Sequence, residues 1–133
     1  MKKNIVVAGC GHWGKNLARV FHGLGVLKTI CESSEETLLI QASQYPEVDT
    51  TPSFDEVLAS PDINAIALAT PAEKHYLMAK KALLAGKHVF VEKPLSITAQ
   101  EGEDLVKTAK KKNKILFVGH ILQYHVAVKT VKK

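Results

Sequence analysis

Gly9-Cys10-Gly11-His12-Trp13-Gly14 follows a short apolar run, Ile5 to Ala8, and leads into a helical pattern at Trp13. Glycines at G-x-G-x-x-G spacing each have a separate mechanical task in a strand–turn–helix. Gly9 permits the tight bend, because a residue without Cβ tolerates unusual dihedrals. Gly11 lets the backbone come close to a pyrophosphate, and Gly14 lets the helix pack against the strand. The free N–H groups at the helix start then face the phosphates, with the positive end of the helix dipole behind them. A second strand-like run, Val26 to Cys31, ends at Glu32, 18 residues beyond Gly14. That is near the offset at which an acidic residue binds adenosine ribose hydroxyls. Glycine turns also end strands for structural reasons alone, and acids are common in loops. The two features together, at this offset, favour a dinucleotide site.

The elements that must position these residues alternate along the chain. The first helix is expected over Trp13 to Leu24, with Leu17, Val20, Phe21 and Leu24 as an i, i+3, i+4, i+7 stripe facing a sheet. Ser33 with Glu36 reads as a capping box opening a helix that carries Leu38, Leu39 and Ala42 and stops at Pro46. Asp49 to Pro52 is a short connection or a weak third strand. Ser53 with Glu56 opens a short helix that buries Phe54, Val57 and Leu58. Ile63 to Ala69 is apolar apart from Asn64, as suits a strand covered on both faces. Thr70 with Glu73 reads as a third capping box, with Pro71 at the first helical position. Its helix runs to about Leu84, and Gly86 ends it. Val89 to Val91 is a fifth strand, leading into Glu92-Lys93-Pro94. Thr98 with Glu101 opens a helix with Leu105, Val106 and Ala109 inward, and Ile115 to Val118 is a sixth strand before Gly119-His120. Such alternation predicts a single α/β domain, a doubly wound and mostly parallel six-stranded Rossmann sheet. Ligands bind beyond the C-terminal ends of the strands in this architecture. The glycine turn, Glu32, Thr70-Pro71, Glu92-Lys93-Pro94 and Gly119-His120 all fall at such ends.

Composition narrows the class. The 133 residues are 46% hydrophobic and 23% charged, as in an ordinary globular domain. No apolar run reaches the roughly 20 residues that span a bilayer, and the start of the chain reads as no secretory signal. Cys10 and Cys31 lack metal-ligand spacing, so no metal site is expected, and a reducing cytoplasmic setting is. The net charge of +5 comes largely from late lysines, Lys107, Lys110, Lys111, Lys112 and Lys114 among them. At a helix end these suit the dipole and the solvent, so they point to no nucleic-acid or membrane partner. His22 and His88 read as structural; His120 and His125 lie nearer the ligand end, with no role assigned.

Gly9-Cys10-Gly11-His12-Trp13-Gly14, Thr70-Pro71-Ala72-Glu73-Lys74-His75 and Glu92-Lys93-Pro94 together resemble the family of glucose–fructose oxidoreductase and inositol dehydrogenase. The stretch Val118 to His125 also resembles members acting on nucleotide-linked sugars. The resemblance implies an oxidoreductase passing hydride between NAD or NADP and a secondary alcohol on a sugar, nucleotide sugar or cyclitol. By position, Gly9, Gly11 and Gly14 cradle the pyrophosphate, with His12 and Trp13 offering backbone N–H groups. Glu32 holds the adenosine ribose and disfavours a 2′-phosphate, so NAD is expected over NADP. Thr70, Pro71 and His75 line the cofactor's middle and nicotinamide side. Glu92, Lys93 and Pro94 sit by the nicotinamide ribose, with Lys93 as the candidate catalytic residue. The plainer readings are a surface lysine before a proline turn for Lys93 and a helix-face histidine for His75. Members of the family carry a second domain that binds substrate and supplies the acid–base. Residues 1–120 are therefore expected to be the cofactor domain and 121–133 the start of a connection to a further domain. Relatives often have arginine near the place of Gln123 and proline near that of Val126. An apolar tail of Val126, Ala127, Val128 and Val131, or the neighbouring sheet edge, is expected to drive homo-oligomer formation. The alternative is a stand-alone nucleotide-binding module without turnover.

Overall fold

Short strand-forming runs, mostly apolar, alternate with helical segments to form six strands and five helices among the described residues, which are 4–92 and 98–119 of the computed structural model. In chain order these are β1 (Ile5–Ala8), α1 (His12–Gly23), β2 (Leu27–Cys31), α2 (Glu35–Gln44), β3 (Asp49–Thr51), α3 (Phe54–Ala59), β4 (Ala65–Leu68), α4 (Ala72–Leu84), β5 (His88–Glu92), α5 (Ala99–Lys112) and β6 (Leu116–Gly119). The sheet order is β3-β2-β1-β4-β5-β6, and every neighbouring pair is parallel. The expected doubly wound sheet is therefore present, all parallel rather than mostly so. The order reverses between β1 and β4, which is where a crevice opens at the C-terminal strand ends.

Alternation along each strand divides the core in two. Val7, Ile30 and Ala67 face Leu17, Ala18 and Phe21 of α1 and Leu38 of α2. Val6, Ile66, Leu68, Val89 and Val91 face Val57 of α3, Ala79, Ala82 and Leu83 of α4, and Leu105 and Ala109 of α5. Fully buried side chains such as Ile30, Ile66, Leu68 and Leu83 each contribute about 2 kcal/mol through area removed from water.

Several expected faces turn out differently. Val20, Leu24, Leu39 and Val106 are exposed, whereas Gly14, Ala18, Gln41 and Thr108 lie on the buried sides. Close approach of helix to sheet selects small side chains at the contact, so the buried phase of α1 runs through Gly14, Leu17, Ala18 and Phe21. The cap of α2 is Ser34 rather than Ser33: its Oγ accepts from Thr37 N–H at 3.3 Å. Ser53 and Thr98 cap as expected, accepting from Glu56 N–H at 3.2 Å and Glu101 N–H at 3.1 Å. The Thr70 box does not form. The cap of α4 is Pro71, with no side-chain bond, and the Thr70 hydroxyl donates instead to the Met78 sulfur at 3.4 Å. Pro71 is thus the cap and not the first helical residue.

Candidate functional site

A cleft of about 510 Å³ opens over the ends of β1, β2, β3 and β4. Its walls include Gly9 and Gly11 from the first turn, Glu32 after β2, Pro52 and Phe54 after β3, and Thr70, Pro71, Lys74 and Met78 after β4. The glycine turn, Glu32 and Thr70-Pro71 were expected there. Pro52 lies one residue beyond Thr51, the last of β3, so the strand-end rule that found Glu32 finds it too. Phe54 was assigned to the core alone. It is half-buried against that core and also lines the cleft. Lys74 and Met78 carry no sequence signal for this position.

The three glycines are not equivalent. Gly9 has φ +92°, and a Cβ there would sit 2.9 Å from the Ala69 backbone. A Cβ on Gly14 would lie 1.9 Å from the Gly9 carbonyl oxygen. Both are required by the chain's own packing, Gly14 against the turn itself as much as against the strand. A Cβ on Gly11 would meet nothing within 4 Å among the described residues. Gly11 is exposed, is the cap of α1, and faces the open cleft.

Glu32 is held from both sides. Its Oε1 accepts from Cys10 N–H at 2.7 Å, and its Oε2 accepts from Ser34 N–H at 2.8 Å. The carboxylate therefore ties the glycine turn to the start of α2. Its geometry is set before any ligand arrives. Burial, and then the nearby Glu32 charge, push the thiols of Cys10 and Cys31 up to about 11. Both thiols are therefore neutral; Cys31 lines the cleft, whereas Cys10 is fully buried behind the glycine turn. Among the described residues no cluster of His, Cys, Asp or Glu is suited to a metal.

Helix starts are treated unequally. Those of α2, α3 and α5 are closed by Ser34, Ser53 and Thr98, whereas those of α1 and α4, which open at the cleft, have no side-chain cap. Their first N–H groups have no partner within the helix. His12 and Trp13 supply two such groups in the first turn of α1.

His75 is buried beneath the β4–α4 turn, and its Nε2–H donates to the Thr70 carbonyl at 2.7 Å. Glu92 is the last residue of β5, paired with Gly119 of β6. Lys93, Pro94, His120, His125 and residues 121–133 lie outside the described residues. His22 pairs with Glu47 and packs its ring on Tyr45, and His88 Nδ1 accepts from Ile115 N–H at 3.0 Å, so both act structurally. No described helix is long and apolar enough to cross a membrane.

Comparison with known proteins adds a family to this geometry. Residues 3–120 match an oxidoreductase family with an NAD-binding Rossmann fold. The chain is 28% identical over 127 residues to UDP-N-acetylglucosamine 3-dehydrogenase of Acidithiobacillus ferrooxidans, covering 96% of this chain and 40% of the relative. It is 33% identical over 122 residues to scyllo-inositol 2-dehydrogenase (NADP(+)) of Bacillus subtilis, covering 86% and 33%. Among solved structures it resembles the WlbA dehydrogenase from Bordetella pertussis in complex with NADH and UDP-GlcNAcA. That match has a TM-score of 0.83 and 29% identity, over 90% of this chain and 37% of that one. The chain thus spans about a third to two-fifths of the length of these proteins. An all-parallel sheet with a glycine turn at its switch point, matched over nearly its whole length, belongs to the oxidoreductase family with an NAD-binding Rossmann fold.

Proposed function

We propose that this chain is the cofactor-holding part of an enzyme that moves hydride between a nicotinamide dinucleotide and a secondary alcohol on a sugar, nucleotide sugar or cyclitol. The observation that carries the reading is Gly11. The fold requires Gly9 and Gly14, but nothing among the described residues requires the absence of a side chain at Gly11. A pyrophosphate against the uncapped start of α1 does require it. A bound nicotinamide supplies the hydride chemistry. The chain's own residues bind and orient it. The N–H groups of His12 and Trp13 receive the phosphates. Each Glu32 oxygen accepts one backbone N–H within 3 Å and keeps capacity for a ribose hydroxyl. The same carboxylate repels a 2′-phosphate, which favours NAD over NADP. Thr70 and Pro71 line the middle of the cofactor, and His75 holds the Thr70 carbonyl in place. Glu92, Lys93 and Pro94 serve the nicotinamide end, with the Lys93 amine as the group that exchanges the proton of the substrate hydroxyl.

In this reading residues 1–120 are the cofactor domain, and 121–133 begin the connection to a substrate-holding domain. The assembly is a homo-oligomer, and the enzyme works in the cytoplasm, where its two buried thiols stay reduced. The test is a titration with NAD followed by amide chemical shifts. Shifts are expected at residues 9–14, Glu32 and Thr70, with Lys87 and Asn113 at the other end of the sheet unmoved. Saturable binding that leaves residues 9–14 unshifted contradicts the proposal.

A further inference from the structure

We infer that Lys74 is the electrostatic anchor for the phosphates of the bound dinucleotide, an assignment that rests on the cofactor reading above and adds a specific side chain to it. Lys74 lies in the first turn of α4 and lines the cleft together with Gly9, Gly11 and Pro71. Among the described residues it is the one cationic side chain in that lining, and Glu32 is the one carboxylate. It is exposed, and among the described residues its ammonium enters no ion pair or side-chain hydrogen bond. Lys80 is engaged on Asp104, Lys28 on Asp49, and Lys87 on the carbonyls of Ser60 and Ile63, whereas Lys15, at the start of α1 and close enough to act on the Cys10 thiol, lies outside the cleft lining.

Charge makes the case. The helix dipole contributes only about half an elementary charge at the start of α1. A dinucleotide brings two negative phosphates into a cleft that already holds Glu32. Without Lys74, the described side chains there present a net negative charge to an anion. Lys74 is also badly placed for the helix that carries it, since a cation in the first turn opposes the dipole of α4. A bound pyrophosphate compensates that unfavourable placement. The carboxylate on the β2 side then reads the ribose, and the ammonium on the β4 side holds the phosphates.

The experiment is calorimetric titration of the whole chain and of Lys74→Ala, Lys74→Arg and Lys74→Glu with NAD, NADP and adenosine, each at low and moderate salt. Lys74→Ala is expected to weaken NAD and NADP equally, by about tenfold, as for loss of one charge-assisted contact, and to leave adenosine unchanged. Lys74→Arg retains most of the affinity. Lys74→Glu loses more, while its melting temperature holds or rises because a carboxylate suits the α4 start. Salt weakens the wild type more than Lys74→Ala. NAD affinity unchanged in Lys74→Ala overturns the assignment, and so does a loss confined to NADP, which places the lysine at the 2′-phosphate. A wild-type chain that binds no dinucleotide removes the cofactor reading itself, and the role of Lys74 with it.

Discussion

Gly11 and Gly14 are separated by two residues and by opposite physical demands. Gly14 is locked by the chain: a methyl group 1.9 Å from the Gly9 carbonyl oxygen must push the turn away from α1. Gly14→Ala is expected to cost about 3 kcal/mol or more of stability, read by denaturant unfolding, since the clash is with backbone rather than with a flexible side-chain tip. Gly11 is open, and as the cap of α1 it is a position that favours aspartate. Gly11→Asp is expected to fold at least as stably as the wild type. If Gly14→Ala were tolerated and Gly11→Asp unfolded the chain, the division between fold and ligand drawn here would be reversed. At this scale the sequence was informative, because glycine spacing and the position of Glu32 follow from what a phosphate and a ribose need. It was silent on the bonds from Cys10 and Ser34 to Glu32, which join residues 22 apart and two apart through the folded turn.

Elements were legible where their signals are local. The Ser53 and Thr98 caps need only three residues and form as read. The Thr70 box has the same spacing and fails, because the Thr70 hydroxyl finds Met78 eight residues further on and its carbonyl is taken by His75. Helix faces were read less well, because apolar periodicity weighs Val20, Leu24 and Leu39 above the alanines and glycines that the sheet contact selects. Lys87 was invisible for a related reason. It is buried, and its ammonium serves two carbonyls at the α3–β4 connection, which only the crossover brings near. His88 shows what such connections do with pH. Desolvation, and then the Lys114 charge, hold its ring below the usual 6.5. Its Nδ1 must stay bare to accept from Ile115 N–H. The unfolded chain therefore takes up this proton more readily than the folded one. The contribution to stability is whole above about pH 6.5 and is lost as pH falls through the folded value. Melting curves from pH 7 to 5 are expected to fall less steeply for His88→Gln than for the wild type. Parallel curves would assign the acid sensitivity elsewhere.

The whole molecule is asymmetric at its two edges. The β3 edge is three residues long and begins with Asp49, both features that discourage pairing. The β6 edge is apolar and partly open, with Ile115 64%, Phe117 39% and Val118 43% exposed. Self-association through this edge is expected in sedimentation, and Val118→Lys is expected to reduce it. A wild-type chain that stays monomeric at high concentration counts against it. The cleft at the β1–β4 switch point was legible as a location, since every polar signature lay at a strand end. The walls contributed by Phe54, Lys74 and Met78 were not, because they depend on how α3 and α4 lean over that end. A cleft shaped for a nicotinamide dinucleotide differs from one merely left open by the fold in what a side chain at Gly11 does to it. Calorimetric titration of the wild type and Gly11→Asp with NAD, alongside their melting temperatures, separates the two. The wild type is expected to bind, and the variant to melt no lower yet bind no NAD. Equal binding by the two folded proteins, or none by the wild type, would mean that the cleft is left open by the fold alone.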